Sequence, residues 1–255
     1  MSYHYWNDFV SQWFLGKKAI LSWTDPDTIP LLNDPDKKDK STLYVPEPWW
    51  GNDGSQPLHS VIINYNPGSG RQIQQRASLS YYGSYANDIV NSGVLPDTCC
   101  WHSSKRALPI LSALKRCGHI TGNYGWSNHL SIEMIPWHTK TVNADYWRYV
   151  KQNIKQIYEN ILCFAAEESR NITNNKLKSV VLLRMGEAKI RCLINDLNAN
   201  RIQARFSQKM IFGDAILIEF SIPSIQGVRF YGISGRRLRN NLPLRNDLDA
   251  IINAI

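Results

Sequence analysis

Cysteine is scarce and unpatterned in this chain. Five occur in 255 residues, at Cys99, Cys100, Cys117, Cys163 and Cys192, with no CxxC pair. An odd number without that spacing argues against a zinc knuckle and a disulfide framework, so no metal site is expected. Reduced thiols in a cytoplasm fit this usage. Also missing is any apolar run long enough to span a bilayer, and no signal-peptide pattern is visible. A cytoplasmic protein without membrane contact is therefore expected. Acidic residues are in deficit: 21 Asp and Glu stand against 29 Lys and Arg, a net charge of +8. That balance suits a polyanionic partner, nucleic acid above all. No internal repeat is present.

What the chain does have is apolar content. A hydrophobic fraction of 43% and nine Trp argue for a globular fold. This length buries one large core or two modest ones. The expectation is one domain over 1–255, with 1–57 as an N-terminal extension packing on the core. In that extension Trp6, Phe9, Trp13 and Phe14 recur at helix-like spacing. A polar, proline-punctuated loop follows, from Asp25 to Lys40. The extended Pro46-Glu47-Pro48-Trp49-Trp50-Gly51 precedes the first expected strand.

That strand, at 59–65, ends the most informative stretch: Ser60-Val61-Ile62-Ile63-Asn64-Tyr65-Asn66-Pro67-Gly68. A β-branched run stops abruptly at Asn-Pro-Gly. It reads as a buried strand delivering Asn66 into a tight turn, where Gly68 lets a ligand approach the backbone. Ligands of open α/β sheets bind outside the carboxyl ends of strands. A polar loop over 69–80, a helix near 105–117 and a strand over 129–135 follow. From Asn143, a suitable N-cap, Trp147, Val150, Ile154, Ile157, Ile161 and Phe164 step by three and four. Lys178 to Arg184 reads as another buried strand, and Gly186 opens a helix. Strands near 204–211 and 214–220 and a final helix from Asn246 complete the pattern. Strands alternating with helices imply a largely parallel sheet covered on both faces, a three-layer α/β/α sandwich.

Several residues carry candidate chemistry. Glu133 sits in His129-Leu130-Ser131-Ile132-Glu133-Met134-Ile135. A buried carboxylate is expensive unless paired. It is a structural ion pair, or else a base-reading acceptor or a raised-pKa acid in a cleft. His138 reads as a loop residue more readily than as a catalyst. Tyr81 and Tyr82 are ordinary packing or stack on a flat ligand such as a base. Ile222-Pro223-Ser224 ends an apolar strand, and Ser224 offers a hydroxyl and a backbone N–H to a phosphate. Arg229, Arg236, Arg237, Arg239 and Arg245, with Tyr231 and glycines between them, read as a flexible loop for a nucleic-acid backbone, or as a solvated surface.

In order and type these pieces resemble the uracil-DNA glycosylase superfamily, nearest its single-strand-selective and mismatch-specific branches. The resemblance covers roughly residues 58–230. Asn66-Pro67-Gly68 is similar to the first motif, where the Asn positions the attacking water. Ile222-Pro223-Ser224 is similar to the second, whose loop enters the DNA. Leu130 to Pro136 is similar to the strand that carries the base-reading asparagine. Two departures shape the expectation. Ile222 stands where that family has a histidine or asparagine that helps stabilise the leaving base. Glu133 stands in place of the base-reading asparagine. An ionised glutamate only accepts hydrogen bonds, so it opposes uracil O4 and suits an exocyclic amine such as cytosine N4. The resemblance thus implies a monofunctional DNA glycosylase acting on a flipped-out modified cytosine, as a monomer and without cofactor. Tyr81, Tyr82, Gly68 and Glu133 would hold the base. Foreign or phage DNA is the sensible target, since removing plain cytosine is toxic. The alternatives are a repair glycosylase for uracil or another damaged base, a catalytically inactive nucleic-acid-binding module, and a nucleosidase-like hydrolase of small nucleosides.

Overall fold

The computed structural model describes residues 6, 23, 49–52, 56–65, 109–124, 128–137, 142, 144–173, 178–235 and 243–255. The seven strands are β1 (Trp49–Gly51), β2 (Ser60–Asn64), β3 (His129–Glu133), β4 (Ser179–Leu183), β5 (Arg205–Phe212), β6 (Ala215–Ser221) and β7 (Arg229–Gly235). They form one sheet in the order β1-β3-β2-β4-β7-β6-β5. The helices are α1 (109–116), α2 (Ala144–Gln152), α3 (Cys163–Ser169), α4 (Glu187–Ala199) and α5 (Arg245–Ala254).

The central strands run parallel. β2 pairs with β4, and β4 with β7, in parallel register. Next to β2, the His59 N–H bonds the Asn128 carbonyl and the Ile135 N–H bonds the Tyr65 carbonyl. Those contacts advance together along both strands, as parallel neighbours require. Every residue of β2, β3 and β4 is buried. This is why β2 and β4 read in sequence as apolar runs, whereas β3 alternates polar and apolar residues although all of them are buried. β5 and β6 add an antiparallel pair beside β7. β5 is the outer strand, mostly exposed, and Arg205, Gln208 and Lys209 make it a polar edge. Gly213, at φ 55, turns β5 into β6, and Asp247 of α5 accepts the neighbouring Asp214 N–H at 3.0 Å. The protein is therefore mixed α/β, with a mostly parallel centre.

By contacts the chain gathers into two compact units, each made of three segments. One comprises Gly51–Asn64, Trp101–Ile132 and Leu162–Ile255. It contains most of the sheet, with α3 against β2 and β4, and α4 and α5 against β5 and β6. Ile190, Leu193, Ile194 and Leu197 form the buried stripe of α4. Arg116 of α1 and Asp249 of α5 form an ion pair, with Nε to Oδ2 at 2.8 Å. The Arg116 hydrogen bond holds the Asp249 carboxyl below its ordinary pKa.

The other unit comprises Met1–Trp50, Tyr65–Cys100 and Glu133–Ile161. Among its described residues aromatic side chains dominate. Trp6 and Trp23 are buried with ring centroids 6.2 Å apart, and Trp23 stacks on Tyr149 at 6.5 Å. The remaining expected features of the N-terminal extension, at Phe9, Trp13, Phe14 and Asp25 to Lys40, lie outside the described residues, as does the expected loop over 69–80.

Two expectations need correction. The stepped pattern from Trp147 to Phe164 predicts one helix. The backbone instead distorts at Asn153, at φ −105 and ψ 21, while its hydrogen bonds to and from residues four apart continue, and after the helical Ile154–Gln156 it widens into a π-helical stretch, Ile157–Leu162, before α3. Val150, Ile154, Ile157, Ile161 and Phe164 are buried as expected, while Trp147 is only partly so. The second correction is β7, which the sequence presents as part of a flexible arginine loop. Its glycine serves packing. A β-carbon at Gly232 would stand 2.6 Å from Ile190 and 2.8 Å from the Met185 carbonyl oxygen. The glycine thus marks close approach of α4 to the sheet. Gly232→Ala is expected to destabilise the protein by about 1–3 kcal/mol, because a backbone carbonyl cannot swing aside. Chemical denaturation checks this; an unchanged midpoint would show that the helix shifts without penalty.

Candidate functional site

The order of the parallel strands locates a crevice before any side chain is considered. Along the chain they come as β2, β3, β4 and β7; across the sheet they lie as β3-β2-β4-β7. The direction of winding reverses between β2 and β4. Open α/β sheets bind ligands at such a reversal, outside the carboxyl ends of the strands.

β2 and β3 each end in a buried polar residue, Asn64 and Glu133. Asn64 Nδ2 donates to Ser131 Oγ at 2.6 Å, both buried. Side chains alternate along a strand, so His129, Ser131 and Glu133 share one face of β3. Glu133 is the last of them and is 1% exposed.

In the aromatic unit the Tyr65 carbonyl accepts two hydrogen bonds. One comes from the Tyr146 hydroxyl at 2.6 Å, the other from the Ile135 N–H at 3.0 Å. The peptide group that precedes Asn66 is therefore fixed from two sides. Tyr65 meets Tyr146 and Trp147 edge to face, at 5.8 and 6.0 Å. Burial pushes the Tyr146 pKa well up, and the charges of Tyr65 and Glu133 add to it. The group thus stays a hydroxyl and a donor. Trp137 Nε1 donates to the Tyr149 hydroxyl at 2.8 Å. A carboxylate near aromatic edges and fixed hydroxyls is suited to a flat ligand bearing an N–H donor.

The second arrangement was not anticipated as a site. It lies where β4 and β7 end and α4 begins. A cleft of about 220 Å³ is lined by Arg184, Gly186, Glu187, Ala188, Lys189, Ser234 and Gly235. Arg184 takes φ 65, in the left-handed region that few non-glycine residues occupy. The available signal was an apolar strand running through Gly186 straight into a helix, an arrangement that exposes backbone N–H groups.

The expected site residues divide by position. Glu133 is placed as described. Asn66, Gly68, Tyr81, Tyr82, His138, Arg236, Arg237 and Arg239 lie outside the described residues, as does the expected N-cap Asn143. Pro223, Ser224 and Arg229 are exposed. Here the strand reading needs correction. β6 is antiparallel to β7, which is parallel to β4 and β2. Ile222-Pro223-Ser224 therefore follows β6 at the edge where β2 and β4 begin, opposite the edge where β2 ends. Ile222 is buried, and Arg229 opens β7 rather than belonging to a loop. The connection shows why. Only 222–228 separates β6 from β7, too short for the crossover that parallel strands need.

A further cavity, lined by His59, Ser60, Ile110, Leu114, Ser179 and Ile252 among others, has about 20 Å³, room for about one water. Among the described residues no group of three or more His, Cys, Asp or Glu is placed to hold a metal ion. Among them, too, no helix is long and apolar enough to cross a membrane. No protein-family model matches this chain, and no curated protein shows significant similarity to it.

Proposed function

We propose that this protein is a monofunctional DNA glycosylase with the three-layer architecture of the uracil-DNA glycosylases, acting on a modified cytosine. The observation that carries the reading is Glu133, a carboxylate buried to 1% exposure at the carboxyl end of β3, the strand next to β2 in the sheet. A flipped base with an exocyclic amine gives that carboxylate a donor. Asn66, just past the pinned Tyr65 carbonyl, holds the attacking water. The water oxygen bonds to C1′ as the glycosidic bond breaks, and a proton ends on the departing base. Fixed dipoles at the strand ends stabilise the charge that develops. No lysine Schiff base is invoked. Foreign DNA with modified cytosine is the target that spares the host.

Incubating the protein with duplexes and single strands that carry different modified bases, then scoring alkali-labile sites, tests the reading. Sites at modified cytosine are expected. Sites at uracil alone would move the function to repair.

A non-catalytic nucleic-acid-binding module is the second reading. It is favoured by the position of Pro223 and Ser224, at the sheet edge opposite the end of β2. Absence of abasic sites with DNA binding retained would select it.

In either reading the arginines that follow β7 meet phosphates. Neutralising Arg236, Arg237 and Arg239 together should weaken DNA binding and flatten its salt dependence by about one log–log unit per lost contact. An unchanged slope in a salt titration would make them a solvated surface.

A further inference from the structure

We propose that the cleft at the carboxyl ends of β4 and β7 is a seat for a phosphate group, built from the N-terminus of α4, Gly186 and the Ser234 hydroxyl. The inference stands apart from the base-excision reading and needs neither Asn66 nor Glu133.

The backbone supplies the first element. α4 is a 13-residue helix whose N-cap, Gly186, provides no capping side chain. Among the described residues no acceptor meets the N–H groups of Glu187 and Ala188, while the Lys189 N–H turns back to the Gly186 carbonyl. Unmet N–H groups and the positive end of the helix dipole together favour an anion.

Ser234 supplies an independent element. It is 6% exposed, lines the cleft, and makes no side-chain hydrogen bond among the described residues. Its oxygen is not among the sealed, unpartnered atoms of the core, so it opens into the cleft that the residue lines. Its Oγ lies 3.0 Å from where a β-carbon on Gly186 would stand. The hydroxyl is thus aimed across the glycine at the start of the helix, and any other residue at 186 would crowd it.

The charges agree. Arg184 and Lys189 are on the walls. The acidic wall residue, Glu187, is held by Arg191 at 2.9 Å and Lys209 at 2.7 Å, and these pairs hold its carboxyl below the ordinary range. The cations around the cleft therefore outnumber its carboxylate. Burial lowers the Lys189 pKa, a penalty that a bound anion offsets. A cleft of about 220 Å³ takes a phosphate with part of the group it esterifies, so a nucleotide and a nucleic-acid backbone share the chemistry recognised.

The test is amide NMR on the full chain at constant ionic strength. The probes are inorganic phosphate, a deoxynucleoside monophosphate and a short oligodeoxynucleotide, with chloride as control. Saturable shifts at Glu187, Ala188 and Ser234 are expected from all three probes and not from chloride. Tightest binding by the oligonucleotide assigns the seat to a backbone phosphate, and tightest binding by the monophosphate to a free nucleotide. Ser234→Ala should weaken phosphate binding roughly tenfold, the loss of one bond to a charged group. Lys189→Met, which leaves the hydroxyl in place, should weaken it as well. Non-saturable shifts, equal shifts with chloride, or unchanged affinity in both variants would overturn the proposal. Because the readout is binding, a protein that never releases a base still tests it.

Discussion

Glu133→Gln is expected to lower base release from DNA carrying modified cytosine by a factor on the order of a hundred or more. The substitution keeps the size of a side chain that is 1% exposed, so packing is little altered. It converts an acceptor-only group into one that also donates. A cytosine-like amine then faces a mixed partner, and the donor side of the amide meets a hydrogen instead of a lone pair. Residual activity should move toward uracil, whose O4 accepts that donor. Single-turnover rates on paired substrates measure the shift, with a thermal melt as the control for folding. An unaltered preference would remove Glu133 from base reading and leave it a structural carboxylate beside Tyr146.

Asn66→Ala is expected to abolish base release while DNA affinity changes little. Losing a group that positions water costs on the order of a hundredfold or more in rate. The described structure fixes the residue before it. The Tyr65 carbonyl is held by the Tyr146 hydroxyl and the Ile135 N–H. Wild-type turnover in the variant would exclude Asn66 from the mechanism. Lost affinity with unchanged single-turnover rate would make it a binding residue instead.

Local pattern made some of this protein legible and left the rest hidden. β2 and β4 were readable because they are buried on both faces, and burial favours continuous β-branched and apolar runs; β3 was readable from its alternation and the apolar residues that follow it. Glu133 was readable as a candidate because a charge between Ile132, Met134 and Ile135 requires an explanation. β7 was not readable. Arg229, Gly232 and Gly235 imitate a loop, and only the approach of Ile190 and Met185 explains the glycine between them. The direction of β6, and with it the edge where Pro223 and Ser224 lie, was hidden together with β7, because it follows from the short connection 222–228 between the two strands. The cleft beside α4 needed three dimensions. Ser234 and Gly186 are far apart in sequence, and the sheet register that brings them together is a property of β4 beside β7.

The central claim is that this chain breaks a glycosidic bond. The most direct measurement is mass spectrometry of the small molecules released when the wild-type protein is incubated with DNA containing a modified cytosine. The account predicts the intact modified base in solution, one abasic site per base released, no strand break before alkali, and no covalent adduct on borohydride treatment. DNA that stays intact with every modified and damaged base offered, under conditions where the protein binds it, would contradict the account.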